Sequence, residues 1–409
     1  MIDQHIPPPA TLAAQHARQT LHLDGELLAG WAPGRVNLIG EHTDYNDGWV
    51  LPVAVDRVVA LAGQPAPSSD EMVVRLYSVH HSEMATFSVA QPPSADDPQD
   101  VPLWARYIGG IVAEARDAGH QVHGFTATIA GDVPVGGGMS SSAALSVATL
   151  VWLDAAFHLG LDPLALARLA QRAETRGSGV RVGILDQAAS VLGRPGQAVL
   201  IDCRSLATTY IPFNLPGVGL LICETGVERS LASSAYNQRR AECEQAVAAF
   251  ARAMRDEGDA HDISALRDVS EHDYLRLAGH IPEPARRRAR HVISENGRTL
   301  RAVEAIKAED AHAFGRLVLE SHASLRDDYA VSCPELDAVV EIATSIPGTL
   351  GARLVGAGFG GSALVVAHDD ALDAIIAALR EQYPLRSGIQ PEIHRVVAAG
   401  GTGIAHMAL

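Results

Sequence analysis

Four short stretches of this 409-residue chain concentrate residues that could do chemistry. The densest is VPVGGGMSSSAALSVATLVWL, residues 133–153. Gly136, Gly137 and Gly138 let the backbone adopt conformations closed to other residues, and let its N–H groups reach a ligand with no Cβ in the way. Ser140, Ser141 and Ser142 stand where a helix N-cap belongs. The helix behind them aims unpaired N–H donors and its positive dipole end at the same spot. That makes an anion site without a lysine, and a serine hydroxyl there can also contact a phosphate oxygen or Mg2+. An ordinary serine-capped turn from strand to helix would be written with the same residues.

The second stretch is GRVNLIGEHTDYNDGWVLPVAV (34–55), in which Val36 and Leu38 alternate as in a strand before Gly40 ends the run. Glu41, His42, Asp44, Tyr45, Asn46 and Asp47 then crowd one loop. Carboxylates and an imidazole suit a polyhydroxylated ligand, because vicinal hydroxyls can donate to a carboxylate as a pair. A metal site competes, although Ca2+ wants a spaced acidic ladder and Zn2+ wants more His or Cys than this loop holds; a polar surface loop is the third reading. In the third stretch, AETRGSGVRVGILDQAASVLG (173–193), Glu174 closes a helix and Asp186 precedes a short apolar one, as an N-cap or as a carboxylate with a task. The fourth, GARLVGAGFGGSALVV (351–366), reads as strand, turn and strand. Its four glycines among residues 356–361 exceed what a hairpin needs, which points to close approach by another segment or a ligand.

The surrounding pattern supplies the elements that must hold these stretches. Strand-like RVVALAG and MVVRLYSV are separated by the loops PAPSSD (65–70) and QPPSADDPQD (91–100), so the first hundred residues read mostly as strands. A helical period begins at Trp104, followed by β-like FTATIAGDVPV, a long helix over about 141–158 and a second in DPLALARLAQRAETRG. QAVLIDC and TTYIPF close the first half as strands, and VGLLICET opens the second. Long helices over 233–258 and 298–329 and late strands in GARLVGAG and SALVVAHD complete it. Clustered strands with segregated helices predict an α+β architecture of two domains, 1–205 and 206–409.

Composition narrows the chemistry. At 47% apolar and 20% charged residues the chain is a globular protein, and 32 cations against 48 acids (net charge -16) disfavour nucleic acid or an anionic membrane as partner. The basic run ARRRAR (285–290) therefore reads as a solvated helix face. Of the 32 cations only Lys307 is a lysine. A Walker loop and a protein-kinase site both require a lysine at the phosphates, so neither can be written into this chain. A pyridoxal Schiff base would have to use Lys307, which sits between acids among helix formers. Cysteines at 203, 223, 243 and 333 are too scattered for a CxxC site and too few for a disulfide scaffold, which fits a reducing cytoplasm. No basic region followed by an apolar run opens the chain, and the longest apolar stretch, 143–153, falls short of the ~20 residues that span a bilayer, so neither export nor insertion is expected.

Taken together, the four stretches resemble the galactokinase family of the GHMP kinase superfamily. GRVNLIGEHTDYN looks like that family's signature, GGGMSSSAAL like its phosphate loop and GARLVGAGFGG like its C-terminal glycine motif. LIDCRSL (200–206), LASSAYNQRRAECE (231–244), RRRARHVISEN (286–296) and SLRDDYAVSCPELD (324–337) extend the likeness over roughly residues 20–400. The resemblance implies a two-domain GHMP kinase fold with its active site in the cleft between the domains. It further implies transfer of the ATP γ-phosphoryl group to the anomeric C1 hydroxyl of α-D-galactose.

By match to the family's motifs, Asp186 is the catalytic base, partnered by the Arg35 guanidinium. Glu41, His42, Asp44, Gly183 and Tyr236 fall on sugar-contacting positions, and Ser142 and Glu174 on those for Mg2+. The loop of Gly136, Gly137, Gly138, Ser140, Ser141 and Ser142 falls on the phosphates, and Trp104 where the family packs adenine. ATP as co-substrate, Mg2+ as cofactor, a monomer, and no nucleic-acid or membrane partner are the matching expectations. Val182, Ala188 and Ala357 depart from the family's usual Cys, Phe and Gly, and are expected to reshape the wall near the base. A related kinase for N-acetylgalactosamine or arabinose, or a non-catalytic sugar and ATP sensor, would share the motifs. Such sensors lose residues in the serine loop, where this chain keeps Ser142 and Ala143.

Overall fold

The computed structural model describes residues 6–213, 215–227, 232–258 and 262–408; residue 231, the first of the 231–244 stretch, lies outside them. Helix α1 (Pro8–Gln19) starts on two prolines and buries Ala10, Ala13, Ala14 and Ala17 along one face. Reading the first hundred residues mostly as strands missed it, because a face made of alanines barely differs in hydrophobicity from its surroundings. Strands β1 (Leu27–Asn37), β2 (Trp49–Val50), β3 (Pro52–Pro65), β4 (Val73–Ser78) and β5 (Glu83–Ser88) follow. Helix α2 (Leu103–Asp117) and strand β6 (Phe125–Gly131) then lead into helix α3 (Ser141–Phe157).

Helix α3 is buried almost all round: Ala143 through Leu150, Trp152 and Leu153 are all inside. A helix apolar on every side belongs in the middle of a core, and α3 packs on β1 and β3 while α2, α4 (Pro163–Ser178) and α5 (Leu185–Leu192) cover it. Trp152, fully buried, donates its indole N–H to Leu28 O at 2.9 Å. Strands β7 (Gln197–Asp202) and β8 (Thr208–Pro212) extend β2 into a three-stranded sheet.

The second half runs through β9 (Val218–Glu224), α6 (Ala232–Asp256), α7 (Glu271–Leu277), α8 (Ala285–Lys307), α9 (Ala311–Asp327) and α10 (Pro334–Thr344). It ends with β10 (Thr349–Val355), β11 (Ser362–His368), α11 (Leu372–Ser387), β12 (Glu392–Val396) and β13 (Gly403–Met407). Its four strands order as β10-β11-β9-β12, while β13 returns to the edge of the first sheet, β13-β1-β3-β6-β4-β5. One face of the four-stranded sheet (Leu220, Ile222, Leu364, Val366) joins the core around α3. The other face (Leu221, Cys223, Ala363, Val365) packs with the second-half helices. The sheet therefore joins the two halves, and the ends of its strands lie beside the glycine-serine loop.

Two sequence expectations are corrected here. Residues 298–329 do not form one helix: Glu309 takes a left-handed φ of 54°, and the Asp310 carboxylate caps α9 by accepting from Ala313 N at 2.8 Å. The run 285–290 opens α8, but it is not simply a solvated face. Arg288 is buried, donating to Glu242 Oε2 at 2.7 Å and Asp328 O at 2.6 Å, while Arg290 stays out. Among the described residues no helix is long and apolar enough to cross a membrane.

Candidate active site

A cavity of about 800 Å³ opens where β1, the loop before α3, α5 and the β10–β11 turn converge. Its lining includes Arg35, Glu41, His42, Asp44, Trp104, Gly136, Gly138, Ser140, Ser141, Ser142, Glu174, Gly183, Asp186 and Tyr236. Of the residues given a catalytic or binding role from the sequence, Gly137 alone among the described residues stands outside it, behind the loop.

Arg35 and Asp186 form the centre. Strand β1 shifts register against β3 between Pro33 and Arg35, a bulge of the kind that re-aims a side chain. The buried guanidinium donates through Nε and NH2 to Asp186 Oδ1 at 2.7 and 2.6 Å, and through NH1 to Gly138 O at 2.7 Å. The other carboxylate oxygen, Oδ2, accepts from Ser140 Oγ. Asp186 lies in the first turn of α5, after Ile184 in the cap position, so it is not a cap. A carboxylate there is favoured by the helix dipole, and Oδ1 stays fixed by the fork of the guanidinium.

At one end of the cavity the glycine-serine loop precedes α3. Gly136, Gly138 and Ser140 all take left-handed φ, at 78°, 70° and 57°. Ser140 occupies the cap position without capping, because its hydroxyl serves Asp186. The simple serine-capped turn is thereby set aside, and the first-turn N–H groups of α3 face the cavity without a side-chain cap. Behind them Ser142 Oγ donates to Glu174 Oε1 and Gln187 Nε2 to Oε2, both at 2.6 Å. Burial pushes the Glu174 carboxyl up to about 7, partly offset by the Ser142 hydrogen bond. No ion pair satisfies Glu174 among the described residues. A buried carboxylate beside a hydroxyl is a hard-oxygen donor set that fits Mg2+.

The opposite end is built from side chains. Burial, then the neighbouring Asp186, pushes the Asp44 carboxyl up to about 6. Gly183 lies so close that a Cβ built on it would sit 1.6 Å from Asp44 Oδ2; only glycine fits beneath that carboxylate. His42 is held neutral, its pKa lowered to about 3 chiefly by burial. Its Nδ1 pairs with Tyr45 OH at 2.8 Å, and Tyr45 OH with Tyr329 OH at 2.7 Å. The Tyr236 ring stands 5.7 Å from His42 and 5.4 Å from Tyr45. Glu41 lines the cavity, yet its oxygens already accept from Asn37 Nδ2 (2.7 Å), Arg353 NH2 (3.2 Å) and Gly356 N (2.6 Å).

Trp104, on α2, flanks the far mouth, its indole donating to Glu83 Oε2 at 3.1 Å and stacking near His81. Val182 and Ala357 line the cavity, as their expected effect on its wall requires. Ala188 does not: it is buried among Val50, Ala167, Val199 and Ile201 behind α5, so a change there acts on packing.

Sequence reasoning missed three residues. Arg353 is fully buried and also bonds Leu38 O and Asn37 O. A lone arginine within an otherwise apolar strand was its signal, hidden by attention to the glycines that follow. Gln187, next to Asp186, and Asn37, inside the β1 pattern, had no distinguishing context. The glycine excess is explained in part by close approach: Phe359 N donates to Val331 O at 2.7 Å, and Gly356 N to Glu41.

The chain also resembles known proteins. Residues 106–194 match the GHMP kinases N terminal domain, 25–65 the galactokinase galactose-binding signature and 302–385 the GHMP kinases C terminal model. A galactokinase of Roseiflexus sp. (strain RS-1) is 43% identical over 91% of this chain and 91% of its own. The crystal structure of Lactococcus lactis galactokinase complexed with galactose superposes with a TM-score of 0.88 at 33% identity, covering 95% of this chain and 98% of that one. Mevalonate kinase of Methanococcus jannaschii shares the fold, with a TM-score of 0.62 at 16% identity over 91% of this chain and 98% of its own.

Proposed function

The chain belongs to the galactokinase family of GHMP kinases, and from that premise we propose how its cavity works. It is an ATP-dependent kinase that phosphorylates galactose. In our reading the γ-phosphoryl group passes to the anomeric C1 hydroxyl, giving galactose 1-phosphate and ADP. One observation carries this: the Arg35, Asp186 and Ser140 cluster stands between an amide-lined loop at one end and a carboxylate-lined pocket at the other.

Asp186 takes the hydroxyl proton, and Arg35, bound to both Asp186 and Gly138 O, fixes the base against the loop and neutralises charge in the transition state. Phosphoryl transfer asks little covalent work of the protein, so positioning and electrostatics supply most of the rate. Asp44, His42, Glu41, Tyr236 and the Gly183 backbone hold the sugar. The loop of Gly136, Gly137, Gly138, Ser140, Ser141 and Ser142 holds the phosphates, with Gly137 acting from behind, and Trp104 packs the adenine. Ser142 and Glu174 would hold Mg2+, which neutralises phosphate charge when bound.

Residues 1–205 and 206–409 are our division into domains, with β8 and β13 pairing back onto first-half strands. We take a monomer as the acting unit. Four free cysteines, two of them buried, support a reducing cytoplasm.

The test is a panel of sugars assayed for ATP-dependent ADP release. Galactose should be turned over best; equal kcat/KM for N-acetylgalactosamine or arabinose would overturn the substrate assignment.

A further inference from the structure

Three consecutive carbonyls of the phosphate loop are each held by a fixed donor. Gly137 O accepts from Ser362 Oγ at 2.6 Å, Gly138 O from Arg35 NH1 at 2.7 Å and Met139 O from Arg35 N at 3.0 Å. In a trans peptide the N–H points away from the C=O. Pinning these carbonyls on the protein side therefore turns the N–H groups of Gly138, Met139 and Ser140 the other way. None of the three donates a hydrogen bond among the described residues. The left-handed φ of Gly136, Gly138 and Ser140, at alternate positions, is the backbone pattern that gathers successive N–H groups into an anion-binding concavity.

Two of the three anchors come from Arg35, in the first half of the chain. The third comes from Ser362, the first residue of β11, fully buried and more than two hundred residues away. Beside it Glu224, cross-strand to Ser362 and paired with His394 Nε2 at 2.7 Å, fills the space a side chain at Gly137 would need: a Cβ there would lie 2.6 Å from its carboxylate. The end of the second-half sheet is thus the back wall of the loop.

We propose that Ser362 is a positioning residue for the nucleotide: by holding Gly137 O it sets the direction of the amide that meets the phosphates. The proposal rests on the reading that this loop binds phosphate. Losing the hydroxyl frees the 137–138 peptide to rotate, and its cost should grow with the number of phosphates on the nucleotide.

Calorimetric titration of ADP and AMP decides it. Ser362→Ala should weaken ADP about tenfold, leave AMP within about twofold and leave KM for galactose unchanged, with Ser362→Cys, a weaker donor, falling between. Gly138→Ala is the control on the loop itself, since its Cβ would lie 3.1 Å from the Ser362 side chain at a left-handed φ. Normal ADP binding in Ser362→Ala together with weakened binding in Gly138→Ala would overturn the role of Ser362 and leave the loop reading standing. Normal binding in both would remove the loop reading as well. Equal weakening of ADP and AMP would mark general damage and also overturn the proposal. If Ser362→Ala does not fold, wild-type ADP affinity in Ser362→Cys has the same negative force.

Discussion

In the proposed function, the two ends of the cavity solve opposite recognition problems with opposite materials. The sugar end is made of side chains taken out of water: Asp44 and Glu41 as acceptors, His42 neutral, Tyr45 and Tyr329 bonded behind it. The phosphate end is made of main chain, with glycines and serines turning amides inward and one arginine as the cation. A neutral polyol offers hydroxyl donors and is met by buried acceptors; a polyanion offers only acceptors and is met by donors. The contrast explains how a chain with one lysine and a net charge of -16 can handle phosphate. The proposed anion site depends on backbone geometry rather than on lysine.

The sharpest test of that contrast is the group between the two ends. Asp186→Asn keeps the shape and the contacts to Arg35 and Ser140 but cannot take a proton. ADP formation should fall about a thousandfold, within the usual range for loss of a general base. Nucleotide and sugar affinities should change little, because neither end has been altered. Substantial turnover in a coupled assay would remove Asp186 from its role and leave the two ends without a shared centre.

How much of this was legible beforehand differs between the ends for the same reason. The phosphate loop was readable because glycines and serines before an apolar helix are a local pattern, and backbone chemistry is written locally. The sugar end was readable only as a crowd of polar residues. That Asp44 rests on Gly183, or that Glu41 is held by Arg353 from a strand some three hundred positions later, depends on tertiary contact. Element types were recovered well where an apolar run was long, as in α3, or the helical period was strong, as in α4. They failed where alanine carried the buried face, in α1, and where a cap interrupted a continuous helical pattern, at Asp310.

A substitution confined to the sugar end should leave the phosphate end untouched. Gly183→Ala must push the Asp44 carboxylate aside, since the new methyl would otherwise overlap Oδ2. We expect kcat/KM for galactose to drop on the order of thirtyfold, about 2 kcal/mol, with KM for ATP unmoved. A matching rise in KM for ATP would mean that the two ends are one mechanical unit, and the division of labour would fail.

The smallest effect concerns what the sugar end costs the protein when it is empty. Asp44, with its pKa near 6 in the fold against an ordinary 3.8, is a carboxyl raised by folding. Such a group binds its proton more tightly in the folded state, so its contribution is most favourable below about pH 4. The contribution declines as pH rises through 4 to 6 and is constant above that. At neutral pH the ionised form therefore costs the folded protein up to ~3 kcal/mol. Asp44→Asn removes that charge while keeping an acceptor for the Leu185 N–H. The variant should melt a few degrees above the parent at pH 7.5, with the gap narrowing as pH falls toward 5, and should bind galactose more weakly. A variant melting below the parent at pH 7.5 would mean that Asp44 is held by structural contacts rather than poised, at a cost, for a ligand.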